Sequence, residues 1–501
     1  MSKKINPKQE IRKALKHCEN SQFTDAIIIL RMVLEKYPNQ LEALTVLGNV
    51  YLHQKDLELG IKYLEKSLSI NPQQNNALND IGYGYYELKD YQKAISFFEK
   101  SIALNPNDFN PFYNMGRSFA AIDQHFKAIS FYETAIKLSS NSSFIYKDIS
   151  ISLTKNGEFK KAIFYLQEAI KVDKGNHQLF SLFGEILNVI KDYKGSIMAF
   201  QKSLELNPDN PFVMTYIGNN LRLLNKHDEA KEILIKSIKL YPKQDKPYHY
   251  LGLIFLSEDN GKKARDNFLK ALSINPNFEE AKHFLSSLDS KPPKRASNIY
   301  VKELFDGYSE NFEEHLVEEL KYDAPKKLIN IIREQNKDSF GAVLDLGCGT
   351  GLLGEKIKPF CNRLVGVDLS DKMLSKAKKK GIYDELAHQD IKEFISSQQL
   401  QYNYYIFTDV FIYIGDLRDI FSIIKKRSEV GGSLVFTTED TEKNDYFLEK
   451  SGRFSHSKKY IECLSQEFGY QIIHSEIQNL RLENGKFIPG RYYLLEFGEQ
   501  Q

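Results

Sequence analysis

Asp345, the glycines Gly347, Gly349 and Gly351, and the acids Asp368 and Asp390 are the residues of this 501-residue chain whose types and spacing could do chemistry. The run Val343-Leu344-Asp345-Leu346-Gly347-Cys348-Gly349-Thr350-Gly351 is an apolar stretch that meets an acid and then three alternate glycines. Such a pattern predicts a buried strand breaking into a loop that opens a helix, here Leu352 to Lys358. Glycine is required where backbone takes a positive φ or lets a ligand approach closely. Asp368 closes a second apolar run, Arg363 to Asp368, 23 residues beyond Asp345. That is the spacing of a strand–helix–strand unit whose second strand tip can accept both hydroxyls of a ribose. Gln389-Asp390-Ile391 ends a third strand, where an acid suits an adenine amine and Ile391 can pack on the ring.

The elements needed to position these acids follow in order. A helix is expected over Asp371 to Lys380, then a short strand toward Ala387, a fourth strand Tyr404 to Thr408 and a fifth from Ser433 to Thr438. A helix over 456–468 and a terminal strand pair, Tyr470 to Gln478 with Tyr492 to Phe497, complete the reading. Alternating strands and helices with acids at strand tips describe an open, mostly parallel sheet with its ligand at the C-terminal edge. The loop is acid-x-GxGxG, not the GxGxxG of dinucleotide folds, and no GxxxxGK[ST] occurs.

Upstream the chain is a repeat. Pro38, Pro72, Pro106, Pro208, Pro242 and Pro276 share one register of 34, with Ser140 and Lys174 at the two positions lacking proline. Gly48, Gly82, Gly116, Gly184, Gly218 and Gly252 keep the same period, and so do small residues from Ala26 to Ala264. Large apolar residues stand four positions after the small ones, from Leu64 to Phe268. The pattern resembles the tetratricopeptide repeat, two antiparallel helices per unit, which implies eight repeats and a capping helix over residues 7–289. The resemblance implies a concave groove for a protein or peptide partner. Dimerisation or spacing is the alternative, and Tyr83, Tyr86 and Tyr113 are expected to pack rather than to touch a ligand.

The polar break 290–298, with Pro292, Pro293 and a short basic cluster, reads as a solvated linker. Residues 299–501 then form the second domain, opening with a helical segment, 299–335. In it Tyr308 could reach a ligand's polar end or pack with Phe305 and Phe312.

The glycine loop, Asp368 and Asp390 in order resemble class I S-adenosylmethionine-dependent methyltransferases. The runs 305–325, 407–417 and 452–470 are similar to a predicted bacterial group of such enzymes with N-terminal tetratricopeptide repeats. The fold class expected is therefore an all-α repeat solenoid followed by an α/β Rossmann-like domain with a mostly parallel seven-stranded sheet. The resemblance implies S-adenosylmethionine as cofactor, held by Asp345, Gly347, Cys348, Gly349, Gly351, Asp368, Leu369, Met373, Asp390, Ile391 and Tyr308. Loop capping by the two acids and a plain core role for Met373 are the alternatives. If the methyl acceptor is protonated at neutral pH, the candidate bases are Asp409, Tyr413 and His456, with the polar insertion Glu439 to Ser455 as a lid; each has a structural role as its alternative.

Composition narrows the acceptor. Through Ser290 there are 38 basic and 33 acidic residues (+5), and after it 30 and 33 (−3), so neither part has a polyanion binder's bias. After the fourth strand stands TDVFIY, not [ND]PP[YF], and no Pro-Cys nucleophile occurs. A nucleic-acid substrate is thereby disfavoured. A small molecule or glycan acceptor, or a scaffold that binds the cofactor without turnover, are the other readings. Four scattered cysteines, without metal-ligand spacing, and the lack of an 18-residue apolar run point to a cytoplasmic protein without a membrane span.

Overall fold

The 34-residue period folds as helix pairs of constant size, 13 residues then 14, as in Leu41–His53 with Leu57–Ile70 and Phe109–Ala121 with His125–Leu138. The computed structural model describes residues 6–289, 291–308, 313, 316–317, 320–335, 339–397, 401–428, 432–483 and 485–497. Among them eight such pairs run from Pro7 to Ile274, followed by the shorter helix Glu279–Ser286. Each pair carries its own turn. A left-handed residue joins the two helices at Ser21, Lys55, Lys89, Asp123, Gly157, Lys191, Asn225 and Asp259, one every 34 residues. Just one of these is glycine, so a search for glycine misses this second period. The other seven adopt a conformation that costs L-residues roughly 1–2 kcal/mol. Asp56, Asp90, Asp192 and Asn260 then cap the second helices through backbone N–H groups three residues on.

The close crossing expected of the small residues is present. A Cβ added to Gly82, Gly116 or Gly252 would lie 2.5 Å from the ring of Phe98, Tyr132 or Phe268 respectively. Those rings are buried, so glycine lets each first helix rest on an aromatic of the second. Tyr86 and Tyr113 are engaged within the array: the Tyr113 hydroxyl donates to Asp148 at 2.8 Å, and Arg117 lies 4.3 Å over the Tyr86 ring. Among the described residues no helix is long and apolar enough to cross a membrane.

The chain packs as two compact units, Met1–Asn220 and Leu221–Gln501, divided inside the seventh repeat. The second unit carries a nine-stranded sheet among the described residues. Its strands are β1 (Gly341–Leu346), β2 (Cys361–Asp368), β3 (Glu385–His388), β4 (Tyr404–Phe407), β5 (Ser433–Asp440), β6 (Tyr446–Leu448), β7 (Phe454–His456), β8 (Tyr470–Glu483) and β9 (Lys486–Phe497). Strands β3-β2-β1-β4-β5 run parallel, with β9 antiparallel beside β5 and β8 antiparallel on β9. β4 and nearly all of β5 are buried residue after residue, as a sheet covered on both faces demands.

The seven strands implied by the resemblance become nine because the stretch expected as a lid is a hairpin. β6 and β7 pair antiparallel, and β7 continues the sheet beside Glu439 and Asp440 of β5. Its few apolar residues explain this: Leu448 and Phe454 are buried with Ala296 and Tyr300. The terminal strands also run far past their expected ends, since residues 479–483 of β8 pair with 486–489 of β9, with one register shift at Asn479/Arg481 and another at Ile472/His474.

Replacing Gly116 by alanine drives a methyl into the Tyr132 ring. A loss of about 1–3 kcal/mol is expected, read as a lower urea midpoint for the array's helical signal.

Candidate functional site

The sheet's C-terminal edge at β1 is built from backbone that only glycine adopts freely. Gly347, Gly349 and Gly351 have φ of 81°, 53° and 87°. The turn is tied to its neighbour: the amides of Gly347 and Cys348 both donate to the Val367 carbonyl, at 2.8 and 3.1 Å, and Gly351 donates to Cys348 at 2.9 Å. Cys348 is buried beneath the turn, and burial pushes its thiol well above the ordinary value. The turn leads into the helix Leu352–Ile357.

Under this loop lies a residue that sequence reasoning missed. The Tyr383 hydroxyl donates to Asp345 Oδ2 at 2.7 Å. A Cβ on Gly354 would sit 2.5 Å from that hydroxyl, and one on Gly366 would sit 2.8 Å from the ring. Two glycines outside the motif are therefore needed to seat this tyrosine. Asp345 is 1% exposed. Burial raises its carboxyl to about 7; the Tyr383 bond opposes that rise, and the charge of Asp368 adds to it.

Asp368 caps the loop. Its Oδ2 accepts from the Gly349 amide at 2.8 Å and its Oδ1 from the Ser370 amide at 2.8 Å. Asp368 thus caps the loop through backbone amides. Ser370 caps the helix Asp371–Lys380 by accepting from the Met373 amide, and the Met373 side chain is fully buried. Leu369 is half-buried, and its carbonyl accepts from the His388 ring at 3.0 Å. Asp390 caps the helix Ile391–Ser397 through the amides of Lys392 and Glu393, at 2.9 and 3.1 Å. Its second oxygen accepts from Arg295 at 2.6 Å. Burial pushes the Asp390 carboxyl up, but Arg295 and the amides outweigh it and hold the group below its usual range. Ile391 packs at the edge of the core beneath. The side chain of Tyr308, last residue of the helix Asn298–Tyr308, lies outside the described residues.

The three candidate bases have different surroundings. His456 belongs to β7 rather than to a helix, since Ser457 caps the helix that follows, Lys458–Phe468. Its ring is buried and its Nε2 donates to the carbonyls of Ile414 and Gly415, both at 3.0 Å. Burial lowers it to about 4. Nε2 thus holds a loop in place, while Nδ1 is buried with no hydrogen-bond partner among the described residues; the expected place at a helix head is corrected to a strand end. Tyr413 ends a short 3-10 turn, and its ring packs edge-on against Phe305 with centroids 5.4 Å apart.

Asp409 is different. It takes a left-handed φ of 61°, its amide donates to Thr437 at 2.9 Å, and Arg481 donates to its Oδ2 at 2.8 Å. Its Oδ1 is buried with no hydrogen-bond partner among the described residues. Arg481 also pairs with Glu439, which Arg453 approaches to 2.7 Å, and Arg453 in turn pairs with Glu483. No signal in the sequence marks Arg481. It lies in the polar half of β8, buried once β8 and β9 pair. Among the described residues no group of three His, Cys, Asp or Glu is placed to hold a metal, and the four cysteines are free.

Tyr383→Phe leaves the buried Asp345 carboxyl without its donor. The expected loss is about 1–3 kcal/mol of stability, measured by chemical denaturation of the second unit, with the sheet retained by circular dichroism.

Family comparison agrees with the two-part reading. A methyltransferase-domain model matches residues 315–475, and tetratricopeptide-repeat models match residues 39–107 and 217–244. The chain is 38% identical over 58 residues, 12% of its length and 22% of the relative's, to an uncharacterised methyltransferase of Schizosaccharomyces pombe. A Geobacillus protein with a provisional methyltransferase name is 26% identical over 186 residues, 34% of this chain and 74% of its own. A Saccharomyces cerevisiae protein named a probable S-adenosylmethionine-dependent methyltransferase is 32% identical over 72 residues, 14% of this chain and 25% of its own. The chain thus spans about a quarter or less of two of these relatives. Among solved structures, the C-terminal part of a tetratricopeptide-repeat protein of Cytophaga hutchinsonii is similar at 19% identity and a TM-score of 0.42, covering 47% of this chain and 96% of that one. The chain carries tetratricopeptide repeats and, C-terminal to them, a methyltransferase domain.

Proposed function

We propose that the methyltransferase domain takes its methyl group from S-adenosylmethionine, and that the repeats recruit the protein or peptide it methylates, in the cytoplasm. The observation that carries this reading is the set of three left-handed glycines between the buried Asp345 and the half-buried Asp368, at adjacent tips of parallel strands. The residues fit such a donor. Asp345 offers a buried carboxylate to an amino group, and the glycine turn offers backbone without side chains. Asp368 keeps lone pairs for ribose hydroxyls, and Asp390 with Ile391 meets the adenine. Met373 supports this floor from beneath as a core residue. When bound, the donor supplies a sulfonium methyl that needs only an in-line nucleophile. The chain's part is to orient the acceptor and exclude water, which can supply several kcal/mol of rate enhancement.

Of the candidate bases Asp409 is favoured, because it alone presents an unpaired oxygen near the strand tips. It would accept a proton or a hydrogen bond from the acceptor, held by Arg481. The functional boundary is placed at 290–298, ahead of the matched domain.

The direct test supplies methyl-labelled donor and cell extract to the full chain and to a fragment spanning the second compact unit. Protein label that disappears in the fragment, with donor affinity kept, supports recruitment. Label in small molecules alone removes that part of the proposal. Asp368→Ala is expected to weaken S-adenosylhomocysteine binding at least about tenfold by calorimetry, the loss of one or two charge-assisted hydrogen bonds.

A pH series tests Asp345. An ammonium ligand needs the ionised carboxylate, and the folded value is raised to about 7. Affinity is therefore expected to be low near pH 5.5 and to rise through pH 7, with a proton released on binding. In Asp345→Asn the rise should vanish. A parallel rise in that variant would place the titrating group elsewhere.

A further inference from the structure

We infer that Arg295 is a positioning residue of the donor site, and that the segment Lys294–Ala296 forms the wall of that site at its adenine end. This rests on the S-adenosylmethionine reading above, and deepens it, because Arg295 lies outside the matched methyltransferase domain and inside the stretch expected to be a solvated linker.

The segment's backbone is docked, although the Lys294 side chain stays in solvent. The Lys294 carbonyl accepts from the amides of Gly415 and Asp416, at 2.9 and 2.8 Å, and the Ala296 amide donates to the Tyr413 carbonyl at 2.9 Å. Arg295 and Ile414 form an isolated antiparallel bridge. Ala296 is 2% exposed, packed with Tyr300, Leu448 and Phe454. From its other side the same 413–416 loop is gripped by His456 through the carbonyls of Ile414 and Gly415. Backbone pairing therefore sets where residue 295 sits.

From that place the guanidinium reaches Asp390 Oδ2 at 2.6 Å and also pairs with Asn298, whose side chain hydrogen-bonds the same carboxylate. Asp390 Oδ1 is held by two backbone amides. The terminal torsion of an aspartate is broad, so one oxygen on a helix cap does not fix the other. With a guanidinium on Oδ2 the carboxylate plane is fixed and its charge is retained. A fixed, charged acceptor favours a purine 6-amino group, since charge-assisted hydrogen bonds are the stronger ones. The Arg295 side chain is 36% exposed, and an ion pair at such a site adds little to folding. Its effect falls on the orientation of Asp390.

The test uses the full chain and calorimetry with two ligands. One is S-adenosylhomocysteine; the other is its counterpart with hypoxanthine, which carries a carbonyl in place of the 6-amino group. Arg295→Ala is expected to lose about tenfold in affinity for the first and less than about twofold for the second. Arg295→Lys, which keeps a cation, should recover part of the loss. Equal losses for both ligands would assign Arg295 a general structural role and overturn the inference. So would unchanged or tighter binding of S-adenosylhomocysteine, the tighter case meaning that the ion pair obstructs the site. If Asp368→Ala abolishes binding while Arg295→Ala does not alter it, the donor reading stands and this inference falls. Absence of binding by the unaltered protein would overturn both.

Discussion

The hydrogen bond from Tyr383 to the buried carboxyl of Asp345 is the contact on which the site depends. An acid at the tip of β1 cannot be withdrawn from water without a partner, because an unpaired buried charge costs several kcal/mol. The tyrosine that supplies the partner needs room, and Gly354 and Gly366 leave it by having no side chain. Three further glycines carry the chain over it in left-handed turns. The loop, its underlying ring and the acid are thus one packed object. The motif visible along the chain is its upper half.

A second constraint lies across the sheet edge, where Arg481 and Arg453 interleave with Asp409, Glu439 and Glu483. Buried ion pairs are weak sources of net stability, because desolvation consumes most of the Coulomb gain. What such a cluster does well is fix geometry, since losing one partner leaves another charge stranded. Here it holds Asp409 in a strained backbone conformation with one oxygen unpaired.

The hairpin β6–β7 and the segment 291–297 belong to the same assembly. His283 of the helix Glu279–Ser286 donates to the Gly452 carbonyl at 2.7 Å and stacks on Tyr300 with centroids 4.3 Å apart. The hairpin and the end of the repeat array therefore close on each other within the second unit, with the docked segment beside them. A stretch rich in lysine and proline becomes ordered here because its backbone finds partners, which composition does not encode.

Periodicity made the repeats legible in the sequence, since a 34-residue register of prolines, glycines and small residues has a direct packing cause that the rings of Phe98, Tyr132 and Phe268 confirm. The glycine loop and the strand-tip acids were legible for a similar reason: positive φ and buried charge restrict residue choice locally. The turn residues at Lys55, Lys89 and Lys191 were not, because the helix pair imposes the left-handed state on residues that do not prefer it. Tyr383 as the partner of Asp345, Arg481 as the clamp on Asp409, Arg295 on Asp390 and His456 as a loop anchor are separated from what they touch by 38, 72, 95 and 41–42 residues. No local pattern spans such distances. The sequence by itself determined the class of most elements, the β6–β7 hairpin excepted, and the residue types at the strand tips. Only the tertiary structure decided which side chains complete them, because burial and pairing across the sheet are properties of the folded neighbourhood and not of any stretch of chain.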